Sequence, residues 1–231
     1  MEVPIVELEK ATLLDYPGRV ACILFTYGCN LRCPYCHNPE LVTEKLNMDT
    51  FLTREYIFDF LKRRVGKLDA VVITGGEPLI HNGIFKLLSD IKKMGYLVKL
   101  DSNGLLPDKL KKVIDSGNVD YVAMDIKYPL SEYMNNVPNS SKLIQKSVNL
   151  IMNSGLDYEF RTTYVKGIHT IDSAEQIAKI VQGAKIYYIQ NFRPGKSIDP
   201  ALDRTNSFTR KELKEIKKIA SKYVKNVFIR E

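Results

Sequence analysis

The sequence has no long apolar run, and it is poor in the residues that mark fibrous, disordered or disulfide-rich chains. Ten prolines and 13 glycines are scattered through 231 residues, of which 45% are hydrophobic and 26% charged, so collagen-like, low-complexity and disordered chains are excluded. No apolar stretch approaches about 18 residues, so we expect no membrane-spanning helix. Acidic residues interrupt the N-terminus at Glu2, Glu7 and Glu9, which predicts the absence of a secretory signal and favours a reducing cytoplasm.

Charge of one sign is concentrated in one segment. The 34 basic and 27 acidic residues give a net charge of +7, which raises a nucleic-acid hypothesis. Eight basic and three acidic residues in 209–231 account for +5 of it. The lysines there lie largely off an apolar stripe, a pattern typical of a solvated helix face. We therefore expect neither nucleic acid nor membrane as a partner, and a docking patch for an acidic partner is the alternative.

Strand and helix patterns alternate along the chain, which predicts an α/β fold with a parallel sheet. About six such units suggest a partial (β/α)6 TIM-like barrel. We expect a single domain over 1–231, with a core at about 19–192 and a C-terminal helix and strand at about 209–231. The predicted strands are 19–26, 69–74, 97–101, 121–127, 158–165, 185–191 and 227–230, and the predicted helices are 53–65, about 80–95, 107–116, 141–154, 172–181 and 210–223.

Cysteine is scarce, and three of the four cysteines lie within eight residues, at Cys29, Cys33 and Cys36. They are too close together for a disulfide framework, and thiolates in one short loop can wrap a zinc ion or an iron–sulfur centre. A structural zinc site needs a fourth ligand. His37 adjoins Cys36, which would strain joint ligation, and Cys22 in an apolar strand is expected to be a core thiol. Three ligands with an open position favour a reactive iron–sulfur cluster, and a zinc or iron–sulfur binding module remains the alternative.

Several predicted strands end in polar or glycine-rich sequence. The carboxyl ends of parallel strands in a barrel share one face, so we expect a site there, although such residues also start loops for conformational reasons. Gly75 and Gly76 let the backbone approach a ligand closely. Asp125 and Lys127 lie on the same side of their strand because side chains alternate with period two. Their alternative role, and that of Arg161, is a structural ion pair. Further candidates at strand ends are Glu77, Asp101 and Gln190.

The spacing Cys-x3-Cys-x2-Cys, with Tyr35 just before the last cysteine, resembles that of the radical S-adenosylmethionine (SAM) superfamily. The resemblance implies a [4Fe-4S] cluster on Cys29, Cys33 and Cys36, with SAM bound at the open iron. It also implies cleavage of SAM to methionine and a 5′-deoxyadenosyl radical, which abstracts a hydrogen atom. No catalytic residue beyond the cluster is assigned.

The same resemblance implies contacts to SAM, and Tyr35 is assigned to one of them. Gly75, Gly76 and Glu77 resemble the motif that holds the ammonium group, and the backbone at His37 would meet the adenine. Asp125-x-Lys127 resembles a cofactor-contacting pair of glycyl-radical activating enzymes. Asp101 would bind the ammonium or, with Asp125, a monovalent cation. We expect Arg161 at the cofactor carboxylate or at a substrate group. Gln190 stands where relatives often carry a histidine. We expect Gln190 to replace that histidine as a contact to the adenine or the ribose.

Two further stretches resemble one branch of this superfamily. Leu13–Gly18 and 36–40 are similar to anaerobic ribonucleoside-triphosphate reductase activating proteins, which are akin to pyruvate formate-lyase activating enzymes. The resemblance implies hydrogen abstraction from a glycine of a partner glycyl-radical enzyme, with a low-potential electron donor such as flavodoxin or ferredoxin. The alternative is a radical SAM enzyme acting on a small molecule, such as a deazapurine-type synthase. His81 and His169 are expected at the surface or at helix starts and receive no role.

Overall fold

The structure, a computed structural model, describes residues 3–43, 45–133 and 137–230. Residues 1, 2, 44, 134–136 and 231, which the predicted domain includes, lie outside the described residues. After the second strand, strands and helices alternate. The strands are β1 (Ile5–Thr12), β2 (Ala21–Thr26), β3 (Ala70–Gly75), β4 (Leu97–Ser102), β5 (Tyr121–Asp125), β6 (Asp157–Tyr164), β7 (Ile186–Asn191) and β8 (Asn226–Arg230). The α-helices are α1 (Arg54–Arg64), α2 (Ile84–Lys93), α3 (Pro107–Asp115), α4 (Ser140–Met152), α5 (Ile171–Ile180) and α6 (Arg210–Ala220).

The chain divides into two compact units. Strand β5 belongs to both, since Tyr121 and Val122 lie in the first unit and Ala123 to Asp125 in the second. The expected single domain over 1–231 stays a prediction. The first unit comprises the described residues of Met1–Arg32, Asn38–Ser102 and Lys109–Val122, and the second those of Cys33–His37, Asn103–Asp108 and Ala123–Glu231.

In the first unit, strands β2, β3 and β4 are parallel and neighbour one another in chain order. Ile23 aligns with Val72, and Val72 aligns with Lys99. Most residues of β2 and β3 are buried on both faces, as expected for parallel strands that are covered on both sides. This arrangement confirms the parallel α/β class that the alternating pattern predicts.

The predicted elements miss β1, which pairs antiparallel with β2 and places Leu8 opposite Leu24. Ile5 and Thr12 are buried at its two ends, but the charged residues Glu7, Glu9 and Lys10 are exposed along its centre. A strand with a charged centre lacks the apolar run on which a sequence-based prediction depends. The first strand of the chain is therefore β1 and not the segment predicted at 19–26.

The second unit carries the parallel strands β6, β7 and β8, in which Phe160 aligns with Tyr187 and Tyr187 with Val227. Its helices α5 and α6 begin at side-chain caps. The Thr170 hydroxyl accepts a hydrogen bond from the Ser173 amide at 3.1 Å. At α6 the Thr209 side chain caps the first turn in the same way. Such caps satisfy amides that have no partner within the helix, so both helices begin within a residue of their predicted starts.

Helix α2 begins later than predicted, at Ile84 instead of about residue 80. The Glu77 carboxylate accepts a hydrogen bond from the Leu79 amide at 3.1 Å and starts a separate 3-10 turn, Pro78–Ile80. Gly95, at φ +91°, follows the helix and ends it as predicted.

Helix α6 has the divided surface that its sequence predicts. Leu213, Ile216 and Ala220 are buried, whereas its lysines Lys211, Lys214 and Lys218 are exposed. The concentrated positive charge is thus a solvated face. Of the helices that the structure describes, none combines the length and the apolarity that crossing a membrane requires.

Candidate cofactor and metal-binding site

The loop that begins at Cys29 is held by backbone contacts in the first unit. The Gly28 carbonyl, just before it, accepts a hydrogen bond from the Glu77 amide at 2.8 Å. The Leu31 amide donates to the Cys29 sulfur at 3.4 Å, and the Arg32 guanidinium donates to the Cys29 carbonyl at 2.7 Å. The half-buried Cys29 thiol therefore sits in a turn of defined shape.

The second part of the cysteine loop lies in the second unit. The Cys36 amide donates to the Cys33 carbonyl at 3.0 Å, which closes a turn, and the Pro34 carbonyl accepts from the Asp199 amide at 2.9 Å. Cys33 is buried, and burial raises the pKa of its thiol, whereas the positive charge of Lys127 lowers it. Lys127 thus favours the thiolate that a metal requires.

The chemistry of the donor set fits an iron–sulfur cluster. Cys29, Cys33 and Cys36 are free thiols, and thiolates are the ligands such clusters take. Cys22 is fully buried in β2, and burial raises the pKa of its thiol to about 12, as expected for a core residue. Among the described residues, no three His, Cys, Asp or Glu side chains are grouped as a ligand set for a single metal ion. The assignment of the three cysteines as cluster ligands stays a prediction.

Two glycines at the end of β3 permit a close approach of backbones. A Cβ at Gly75 would lie 2.4 Å from the Thr26 amide nitrogen, and a Cβ at Gly76 would lie 1.9 Å from the Gly28 carbonyl oxygen. Gly75 also has φ +110°, which favours glycine. Gly75 is therefore required by packing against the end of β2, and Gly76 by packing against Gly28, just before the cysteine loop. Their contact to SAM stays a prediction.

The Glu77 side chain turns into the protein. It is 1% exposed, and its Oε1 accepts hydrogen bonds from the Leu79 amide and the Ser102 hydroxyl, each at 3.1 Å. The carboxylate thus fixes the strand-end backbone.

Asp101, near the end of β4, accepts a hydrogen bond at one carboxylate oxygen and is ion-paired at the other. The Thr74 hydroxyl donates to Oδ2 at 3.0 Å, and the Lys99 ammonium lies 3.5 Å from Oδ1. Lys99 and Asp101 are both buried, and no local sequence pattern marks Lys99 as a site residue.

Asp125, Lys127 and Arg161 form one charged cluster in the second unit. Oδ2 of Asp125 lies 2.9 Å from Nζ of Lys127, and Oδ1 lies 2.5 Å from Nε of Arg161. Burial alone would raise the pKa of Asp125, but Arg161 and Lys127 outweigh burial and lower it. Burial likewise would lower the pKa of Lys127, and Asp125 raises it overall. Asp125 and Lys127 do meet, but β5 ends at Asp125, so Lys127 lies beyond the strand in which it was predicted. Arg161 is ion-paired, and its contact to the cofactor carboxylate or to a substrate group stays a prediction.

This cluster continues to the last strand through a pair that sequence reasoning missed. Arg161 Nη1 lies 3.8 Å from Glu159 Oε1, and Arg230 binds both oxygens of Glu159 at 3.0 and 3.1 Å. Glu159 is fully buried, and the Arg230 guanidinium lies 3.5 Å above the ring centre of Tyr188. Glu159 and Arg161 share one face of β6 by period-two alternation, a signal that could have revealed the pairing.

Tyr35 belongs to an aromatic framework that holds the backbone of Lys127. Its hydroxyl donates to the Lys127 carbonyl at 3.2 Å, and its ring meets Tyr128 and His169 at centroid distances of 6.2 and 5.9 Å. The Lys127 amide donates to the Tyr133 hydroxyl at 3.2 Å. Tyr35 thus shapes the site through Lys127, and a direct contact to SAM stays a prediction.

His169 is buried and so does not lie at the surface, but it does lie at a helix start, because it directly precedes Thr170, the N-cap of α5. Its Nδ1 accepts a hydrogen bond from the Val165 amide at 3.1 Å, and its Nε2 lies 2.8 Å from the Lys127 carbonyl oxygen. This pairing fixes a neutral ring with the proton on Nε2. Burial lowers the pKa of His169. No local pattern in the sequence around His169 marks these distant partners.

The remaining candidates contact protein groups. The His37 ring stacks on Phe192 at a centroid distance of 5.6 Å, and burial, followed by the charges of Lys127 and Arg193, lowers the pKa of His37. Gln190 Oε1 lies 3.5 Å from the Thr163 hydroxyl. The adenine contacts of His37 and Gln190 stay predictions.

Comparisons with known proteins agree with this site chemistry. The radical SAM superfamily model matches residues 23–181. A Methanocaldococcus jannaschii protein, provisionally named a glycyl-radical enzyme activating enzyme, is 34% identical over 227 residues, which cover 94% of this chain and 91% of that protein. The 7-carboxy-7-deazaguanine synthase of Clostridium acetobutylicum is 31% identical over 125 residues, 54% of each chain.

A solved structure shows the same fold. Streptococcus suis SuiB, crystallised with S-adenosylmethionine, matches with a TM-score of 0.66 at 12% identity, over 90% of this chain and 52% of SuiB. The matched span 23–181 contains all three loop cysteines, Asp125 and Arg161. The family match and the structural match together confirm the fold that the sequence predicts. This chain therefore belongs to the radical SAM superfamily.

Proposed function

We propose that the protein activates a partner glycyl-radical enzyme, such as an anaerobic ribonucleotide reductase, by abstracting a hydrogen atom from one of its glycines. The observation that carries the proposal is the 34% identity to a provisionally named glycyl-radical enzyme activating enzyme over nearly the full length of both chains. The family implies a [4Fe-4S] cluster and SAM. When bound, and given one electron, they supply methionine and the 5′-deoxyadenosyl radical that takes the hydrogen atom.

The residues of this chain would bind and orient these groups. Cys29, Cys33 and Cys36 supply the three thiolates, and the charge of Lys127 favours the thiolate form of Cys33. The paired charges of Asp125, Lys127 and Arg161 offer acceptors and donors for the ammonium and carboxylate of SAM. Further contacts are assigned to the backbone at Gly75, Gly76 and His37, and to Tyr35, Glu77, Asp101 and Gln190.

The proposal also names a setting and partners. The electron would come from a low-potential donor such as flavodoxin or ferredoxin, and the protein would work in the cytoplasm, where thiols stay reduced. The resemblance adds a monovalent cation near Asp101 and Asp125. Neither nucleic acid nor a membrane is a partner.

Anaerobic reconstitution with iron and sulfide, followed by dithionite and SAM, tests the proposal. We expect a brown protein that releases 5′-deoxyadenosine and methionine and, with its partner, gives a glycyl radical in electron paramagnetic resonance spectra. Cys33→Ala should abolish cleavage, whereas the matched variant Cys22→Ala should retain it, because Cys22 lies in the core. A colourless zinc protein would overturn the proposal. It would support the alternative of a non-catalytic zinc-binding module.

The second candidate is a radical SAM enzyme that acts on a small molecule. The match to 7-carboxy-7-deazaguanine synthase over 54% of this chain favours it. It shares the cluster and cofactor chemistry, so cleavage of SAM does not separate the two candidates. A small molecule, such as a precursor of a deazapurine, that accelerates 5′-deoxyadenosine release without any partner protein would support the second candidate.

A further inference from the structure

Lys99 is a fully buried cation in β4. Only 2% of its surface is exposed, its Nζ donates to the Asp15 carbonyl at 2.5 Å, and it lies 5.6 Å from the ring centre of Tyr121. A buried ammonium is costly unless hydrogen bonds and an opposite charge compensate for the lost water. The opposite charge here is Asp101, 3.5 Å away.

The position of Lys99 in the sheet directs it toward Asp101. The two residues are separated by one residue, so they share a face of β4. Lys99 aligns with Val72 of β3, and Thr74, two residues further along β3, donates to the other oxygen of Asp101. The carboxylate thus accepts a hydrogen bond from β3 and is ion-paired with a lysine of its own strand, β4.

The far side of the Lys99 ammonium is fixed as well. Asp15 lies in the connection between β1 and β2, and its Oδ2 accepts a hydrogen bond from the Thr12 hydroxyl at 2.6 Å. The neighbouring Tyr16 ring packs on Tyr121 at 5.6 Å. The connection is thus folded onto Lys99, which is held between a carbonyl and a carboxylate.

We propose that Lys99 is a positioning residue whose ammonium is the built-in counter-ion of Asp101 and, at Asp101, takes the place of the monovalent cation that the family resemblance implies near Asp101 and Asp125. This inference rests on the proposed function, because it assigns Asp101 to the ammonium of SAM. An ammonium tethered to the strand supplies the charge that a mobile cation would otherwise bring. The ammonium lies 3.5 Å from Oδ1, while the Thr74 hydroxyl donates to Oδ2.

The pairing itself is tested on the protein without cluster or SAM. Unfolding equilibria of the wild type, Lys99→Met, Asp101→Asn and the double variant form a thermodynamic cycle. We expect the effect of Lys99→Met on the unfolding constant to be roughly tenfold smaller when Asp101 is already Asn. Equal effects in both backgrounds would show that the two residues are not coupled and would overturn the proposal.

The role toward SAM is tested by equilibrium binding to the reconstituted protein. Wild-type affinity should be the same in potassium, sodium or tetramethylammonium salts of equal ionic strength. Lys99→Met should bind SAM about tenfold more weakly and show a dependence on potassium, and Lys99→Arg should restore part of the affinity. The matched control is Lys92→Met, which breaks the Lys92–Asp120 pair, 2.5 Å in length, and should leave SAM affinity unchanged.

The outcomes separate this inference from the proposed function. A wild type that binds SAM only with added potassium, or a Lys99→Met protein that binds as the wild type does, overturns the inference alone. A reconstituted wild type that binds no SAM in any salt overturns both. Should Lys99→Met fail to fold, the salt series on the wild type and the Lys99→Arg variant still decide the matter.

Discussion

The Nε atom of Arg161 lies 2.5 Å from Oδ1 of Asp125, and the same carboxylate meets Lys127 through its other oxygen. One carboxylate thus faces two cations, with side-chain exposures between 14% and 22%. Since Arg161 is paired within the protein, it can serve a cofactor only as part of this cluster and not as an isolated cation.

Asp125→Asn should destabilise the protein without cluster or SAM by about 2 kcal/mol, because it leaves the half-buried cations of Lys127 and Arg161 facing each other. Breaking a fully buried pair would cost more, but these side chains are partly exposed to water. Urea unfolding measures the change. Asp115→Asn is the control, since its pair with Lys111 is more than half exposed and should be worth less than about 0.5 kcal/mol. Equal losses in the two variants would mean that the Asp125 cluster is no stronger than a surface pair.

Arg230→Gln should cost about 3 kcal/mol, because Glu159 is fully buried and would lose both of its bonds to the guanidinium. Arg230→Lys should lower the free energy of unfolding by less, because it keeps the charge. It loses the bidentate hydrogen bonding to Glu159 and the stacking on Tyr188. Chemical denaturation of the three proteins gives the order. If the Gln and Lys variants are equally stable, the charge of residue 230 does not support Glu159.

Gly76→Ala should destabilise the protein by more than about 2 kcal/mol, because the new Cβ would lie 1.9 Å from the Gly28 carbonyl oxygen and one backbone segment must move. Gly195→Ala is the matched control, since a Cβ there meets no atom within 4 Å, and its effect should stay within about 0.5 kcal/mol. Thermal unfolding compares the two variants. A Gly76→Ala protein as stable as the control would contradict the close packing.

The free energy of unfolding should fall as the pH is lowered, and His169 should cause part of this fall. Burial lowers the pKa of His169 in the folded protein, so the unfolded chain binds the proton more readily. The contribution of His169 to the free energy of unfolding is therefore complete above the ordinary histidine pKa of about 6.5. It is lost as the pH falls below that value, by at most about 1.4 kcal/mol per pH unit.

The check is the unfolding free energy from pH 8 to pH 5 for the wild type and for His169→Phe. The variant is expected to be less stable at pH 8, where the two hydrogen bonds of the ring are lost, and to have a shallower decline toward pH 5. Parallel curves would assign the acid sensitivity to other groups, such as His37 or His81, whose pKa values burial also lowers.

Features encoded locally were predictable, and those that depend on distant partners were not. The turn at Gly95 and the core position of Cys22 follow from short-range sequence patterns and were found. Strand β1 was not predicted, because the charged residues at its centre leave no apolar run or clear apolar–polar alternation in the sequence. His169 and Lys99 were missed because their partners, the carbonyls of Lys127 and Asp15, lie 42 and 84 residues away in the chain.

Hydrogen transfer from a partner glycine is the central claim, and isotope labelling tests it most directly. The reconstituted protein is incubated with reductant, SAM and a glycyl-radical enzyme whose glycines carry deuterium at Cα. The account predicts deuterium in the released 5′-deoxyadenosine together with a glycyl radical on the partner. Unlabelled 5′-deoxyadenosine, formed at the same rate with and without the partner and with no radical on it, would contradict the account.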